Sequence, residues 1–230
     1  MPLENIVRTS LLSSVLFGGC SASHRFNSEE FAAHFDKKEF YVDNANSDGP
    51  YIFTFGGFGV NILRSIAKYV GNRCDIAGCT SIDFGEWPEA MPLIKNQIHN
   101  KRELVFVAHS LGCADALDVC RILNEKDVKV DLVLYDAVHF DCPLLAVGRP
   151  NKIPSNINIV INYYATKGMF SASPLREDIL ENPQTKIYNF PVDCEHGDFN
   201  TTNLYQYYAE HLNRFIGVKF KEDKDAPAGN

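Results

Sequence analysis

Ser110 is the residue in this sequence whose surroundings most clearly prepare it for chemistry. Residues 104–112 read LVFVAHSLG, an apolar run, then the serine, then a helix-patterned stretch. Ala108 and Gly112 stand two residues to either side of it. A strand that turns at once into a helix has no room for larger side chains at those two places. The hydroxyl is then lifted clear of the strand end, at a helix N-terminus whose dipole favours a developing negative charge. A hydroxyl held this way beside a base is a nucleophile for acyl transfer. The plainer reading is a serine that merely caps a helix.

Residues 56–59 read GGFG and follow the apolar stretch YIFTF. Glycines just past a strand let backbone approach a ligand closely. A phosphate loop would need a G-K-[ST] or G-x-G-x-x-G pattern, and neither is present. Of the seven histidines, His24 and His34 precede the strands, His99 ends a helix and His211 lies on the last helix. Strand alternation turns His109 away from the pocket. His139, after the strand at 131–135, could line the pocket, and His196 lies between the last strand and the last helix. Asp136 closes the strand DLVLY and is the first candidate acid, with Asp141 and Asp178 as alternatives.

The elements that must hold these residues follow from hydrophobic pattern. Strands are expected at 51–55, 75–80, 104–108, 131–135, 157–164 and 186–191, and helices at 60–70, 88–98, 111–123 and 204–216. Strands that are apolar throughout and separated by helices run parallel and are buried on both faces. The expected fold is therefore α/β, a doubly wound, mostly parallel sheet of about six strands with its site at their carboxyl ends. Residues 50–217 carry this domain, residues 21–49 read as an N-terminal extension and 218–230 as a flexible tail.

The strand–AHSLG–helix run resembles the nucleophile elbow G-x-S-x-G of the α/β-hydrolase superfamily, with Ala108 in place of the first glycine. The resemblance covers about residues 50–216, points to small lipase-, esterase- or thioesterase-like enzymes, and includes no segment long enough for a large lid. It implies an oxyanion hole from the backbone N–H of Leu111 and of Gly57 or Phe58. The family's order of serine, acid and histidine implies His196 as general base. The acid of most members follows the next strand, but residues 165–176 hold no carboxylate. The chain thus resembles the pancreatic-lipase layout, with Asp136 as the acid that orients the histidine. The implied activity is a carboxylic ester or thioester hydrolase working through an acyl-enzyme on Ser110, with no cofactor and no metal. An acyltransferase using the same triad, or a binding protein that kept the fold without turnover, are the alternatives. Phe58, Trp87, His139 and Phe140 are expected to line the substrate pocket, with Phe84, Leu144 and Leu145 as further wall candidates.

The chain of 230 residues is 45% hydrophobic, enough for one substantial core. A net charge of -7 argues against nucleic acid and anionic lipid head groups as partners, leaving a small ester or thioester as the expected ligand. The seven cysteines form no C-x-x-C pair and match no zinc pattern. Residues 9–19 read TSLLSSVLFGG ahead of Cys20, too short to span a bilayer but the right size for a signal-peptide core. Residues 16–21 resemble a bacterial lipoprotein signal, which implies a cell-envelope protein tethered to membrane through lipidated Cys20. One acid beside one base in the preceding residues, and Phe17 where leucine is usual, fit that pattern poorly; the alternative is a buried N-terminal element of a cytoplasmic enzyme.

Overall fold

A computed structural model describes residues 41–43, 49–57, 76–140, 152–168 and 171–200. Along the chain these form β1 (Tyr41–Asp43), β2 (Tyr51–Phe55), β3 (Gly78–Ile82), α1 (Trp87–His99), β4 (Leu104–His109), α2 (Gly112–Asn124), β5 (Val130–Tyr135), β6 (Ile157–Lys167) and β7 (Lys186–Glu195). The strands make one sheet in the order β1-β3-β2-β4-β5-β6-β7. The six from β2 to β7 are parallel, and β1 pairs antiparallel with β3 at one edge. The α/β architecture and the parallel sheet agree with the expectation from pattern.

Every residue of β2, β3, β4 and β5 is buried. That is why these strands read as continuous apolar runs rather than alternating ones: crossovers cover both faces of a parallel sheet. Tyr51, Phe53, Phe55 and Phe106 fill one side of the centre, with Phe53 and Phe106 edge to face at 5.8 Å. Burying each such ring contributes about 1.5–3 kcal/mol. Ala116, Leu117, Cys120 and Leu123 of α2 and Ala90 and Ile94 of α1 belong to the same core.

Strands β1, β3 and β7 differ from the sequence reading, and β6 runs on to Lys167 where an end at 164 is expected. Strand β1 falls in the expected N-terminal extension; three residues are too few to show a period. Strand β3 lies at 78–82 instead of 75–80, because pairing with β2, which sets Tyr51 opposite Gly78 and Phe55 opposite Ile82, fixes its register. Strand β7 continues through Pro191 to Glu195. Proline reads as a stop signal, yet an edge strand tolerates a residue with no N–H to donate. The expected helices at 60–70 and 204–216, the signal-like segment and Cys20, and the tail lie outside the described residues. Among the described residues no helix is long and apolar enough to cross a membrane.

The chain reverses its direction of travel across the sheet between β3 and β4. Strand β3 lies on one side of β2 and β4 on the other. The carboxyl ends of β2 and β4 therefore meet at the switch point, where doubly wound sheets open a crevice. Residues 56–57 and 109–112 are the chain segments that leave those two ends.

Candidate active site

Strand β4 ends at His109 and α2 begins at Gly112, so Ser110 sits in a two-residue junction. Its φ is +55°, left-handed backbone that a residue with a Cβ adopts only under constraint. Constraint comes from both sides. The Ser110 N–H donates to the Tyr135 carbonyl at 3.0 Å, and the Ser110 carbonyl accepts from the Cys113 N–H at 3.2 Å. The residue in the helix N-cap position is Leu111, and it makes no side-chain capping bond. The serine is thus not a simple N-cap.

Small residues around the junction are required by contact. A Cβ on Gly112 would lie 2.3 Å from the Phe55 carbonyl oxygen and 2.6 Å from that of Gly56. A Cβ on Gly57 would lie 2.8 Å from the Ser110 Cβ and 3.0 Å from the His109 carbonyl oxygen. Gly57 is therefore packed directly against the serine. Among the described residues, no partner engages the backbone N–H of Gly57 or of Leu111. Phe58, the alternative donor and a wall candidate, lies outside the described residues.

Asp136 follows β5 directly, also with left-handed backbone at φ +49°, and is fully buried. Its Oδ1 accepts from the Ala165 N–H at 2.9 Å and the Ala172 N–H at 2.8 Å. Its Oδ2 meets His196 Nδ1 at 2.5 Å. Both carboxylate oxygens are thereby committed, which compensates burial of the charge. Asp178 instead pairs with Arg176 on an exposed 3-10 turn, and Asp141 lies outside the described residues. Of the carboxylates weighed from sequence, Asp136 is the one bonded to a histidine in the described structure.

His196 opens the 3-10 turn His196–Asn200 immediately after β7. Two contacts fix that turn. The Asp198 carboxylate accepts from the Glu195 N–H at 2.9 Å, and Phe199, 1% exposed, is buried against His109 and Tyr135. No hydrogen bond joins the Ser110 hydroxyl to His196. His139 lies on the turn Val138–Phe140, and its side chain is outside the description. Trp87 and Phe140 are half-buried and pack on the core.

The sequence reading turned His109 away from the pocket; the structure buries it beside the histidine at the site. Its ring stacks on His196, centroids 5.2 Å apart and planes 17° from parallel. His109 is the last residue of β4 and pairs in register with Tyr135, so it keeps its place in the alternation of the strand. The residue is 2% exposed, and burial, then the nearby His196, push its pKa down to about 3. Sequence reasoning also missed Ala165 and Ala172, whose contribution is a backbone N–H that side-chain chemistry does not announce.

Nearby thiols are poor competitors for the serine's role. Cys113 is fully buried, and burial and then the Asp136 charge push its thiol well up from the ordinary value. Cys194 is pushed up to about 11, chiefly by burial. Among the described residues no cluster of histidine, cysteine and carboxylate side chains could hold a metal ion.

No protein-family model and no curated protein sequence matches the chain. Solved structures do. The thioesterase domain SrfTE, which cyclises the lipopeptide antibiotic surfactin, superposes with a TM-score of 0.51 at 12% identity, over 77% of this chain and 96% of that one. The NocB thioesterase domain, solved covalently bound to a fluorophosphonate nocardicin G analog, gives 0.52 at 14% identity, over 76% and 97%. A structure from the pair of metagenome-derived lipolytic enzymes LipS and LipT gives 0.53 at 9% identity, over 79% and 98%. At these identities the likeness is one of fold: the chain has the α/β-hydrolase fold.

Proposed function

We propose that this protein is a serine hydrolase that cleaves a carboxylic ester or thioester, with Ser110 as nucleophile, His196 as general base and Asp136 as the acid that orients it. The observation that carries the reading is the 2.5 Å contact between His196 Nδ1 and an Asp136 carboxylate whose other oxygen is held by two backbone N–H groups. An aspartate so fixed holds the histidine as the tautomer with Nδ1 protonated and Nε2 free to accept. The thioesterase and lipolytic enzymes that share the fold support the substrate class.

In this reading Ser110 Oγ attacks the acyl carbonyl carbon while His196 Nε2 takes its proton. The carbonyl oxygen becomes an oxyanion and is met by the N–H groups of Gly57 and Leu111, each worth about 3 kcal/mol in comparable sites. His196 returns the proton to the departing alcohol or thiol, leaving an ester on Ser110. Water then adds to that ester by the same path, and the acid departs as serine is restored. Catalytic hydrogen bonds between serine and histidine are often unformed without substrate and close in the complex.

The test is a fluorophosphonate probe read by intact mass and peptide mapping. A mass gain on Ser110, with p-nitrophenol released from p-nitrophenyl esters, supports the reading. A folded protein that neither labels nor turns over is the binding-module alternative. Product analysis with added alcohol or amine acceptors separates hydrolase from acyltransferase.

A further inference from the structure

The described site includes a ring that the proposed reaction does not use. His109 is almost wholly buried, and neither ring nitrogen has a hydrogen-bond partner among the described residues. Leaving buried polar atoms unpaired costs free energy, and a phenylalanine would fill a similar space without that cost. Such a group in a native fold calls for a physical reason.

The neighbours of the ring suggest one. His109 pairs in register with Tyr135 on β5, and Tyr135 with Tyr163 on β6. The rings of Tyr135 and Tyr163 stack at 5.2 Å, and Phe199 tilts against both His109 and Tyr135. His109 is thus fixed on one flank by this aromatic row. On the other it presents a flat face to His196, which among the described residues is otherwise tied by a single bond from Nδ1 to Asp136. One hydrogen bond leaves a ring free to swing about that bond, and a parallel plane against its face removes the freedom.

We infer that His109 is the positioning residue for the base, its ring forming the plane that sets the direction in which His196 Nε2 points. This rests on the reading of His196 as general base. It adds that the residue immediately before the nucleophile orients the residue that activates it. Burial and His196 itself keep His109 uncharged down to about pH 3. The imidazolium formed on His196 therefore faces no second positive charge from this ring.

Two replacements separate ring stacking from simple space filling. His109→Leu fills the volume without a plane, and His109→Phe restores the plane without the nitrogens. With p-nitrophenyl acetate, His109→Leu is expected to lower kcat at least about tenfold at nearly unchanged KM, consistent with a misdirected base. His109→Phe is expected to recover most of that loss. The far-downfield proton resonance of the His196 Nδ1–H should broaden in the leucine variant and sharpen again with phenylalanine. Equal kcat and equal resonances for Leu and Phe would overturn the inference, as would a leucine variant as active as wild type. A wild-type protein inert toward the ester overturns the hydrolase reading instead, and the resonance comparison still decides whether His109 orients His196.

Discussion

Replacing Asp136 by asparagine changes one atom, and the structure dictates the consequence. Oδ1 receives two backbone N–H groups, from Ala165 at 2.9 Å and Ala172 at 2.8 Å. Both require an oxygen, so the asparagine carbonyl takes that place and its amide NH2 is turned toward His196 Nδ1. Nδ1 must then accept, the proton moves to Nε2, and Nε2 can no longer take the serine proton. Loss of the base in this way costs up to about 10⁴ in kcat, or roughly 5.4 kcal/mol. The opposite flip would keep the tautomer but face two buried donors with a third. At about 1–3 kcal/mol for each unsatisfied group, that orientation is disfavoured by at least about 2 kcal/mol. It holds no more than about one molecule in thirty, a population that follows from that difference. The expected fall in kcat thus lies between about 30-fold and 10⁴-fold, with folding retained. Steady-state p-nitrophenol release and the rate of fluorophosphonate labelling measure it, with circular dichroism and a melting curve as the check on fold. A folded Asp136→Asn enzyme within tenfold of wild type would refute the reasoning and remove Asp136 from the triad.

Ser110→Ala should abolish fluorophosphonate labelling and ester cleavage while the melting curve stays close to wild type; retained turnover would mean another nucleophile. Gly57→Ala places a Cβ 2.8 Å from that of Ser110. The junction must shift by a few tenths of an ångström, so kcat should fall about 10- to 100-fold with a smaller change in KM, and a normal kcat would separate Gly57 from the site. Acid sensitivity should follow His109. The unfolded chain binds a proton near pH 6.5, whereas the folded chain holds that ring neutral down to about pH 3. The unfolded state therefore carries the extra proton between those values. Stability falls on acidification through that window by about 1.4 kcal/mol per pH unit from this group. Urea unfolding between pH 6.5 and 5 should show the slope in wild type and lose it in His109→Phe; identical slopes would contradict it. For the N-terminus, mass spectrometry of the mature protein from its native host should find a lipid-modified Cys20 as the first residue, and an intact Met1 or Pro2 end rules that out.

Some of this protein could be read from its residues in order. Continuous apolar runs at 51–55, 104–108 and 131–135 demanded strands covered on both faces, and the intervening helical periods demanded parallel pairing. The small residues flanking Ser110 signalled a tight turn, because steric exclusion at such a turn acts on residues adjacent in sequence. Local physics writes itself into local sequence.

What depends on contact between distant segments could not be read. The register of β3 was set by β2, the run of β7 through Pro191 by its place at the sheet edge, and β1 by an antiparallel neighbour. The partners of Asp136 are backbone N–H groups of two alanines, and every residue but proline carries the same donor. Alternation within one strand could assign His109 a face of β4 but not the residue that meets it there. Only folding showed that the ring of His196, from the far edge of the sheet, lies against it. A side chain's type is fixed by the sequence, but the face it meets is decided by which elements close over it.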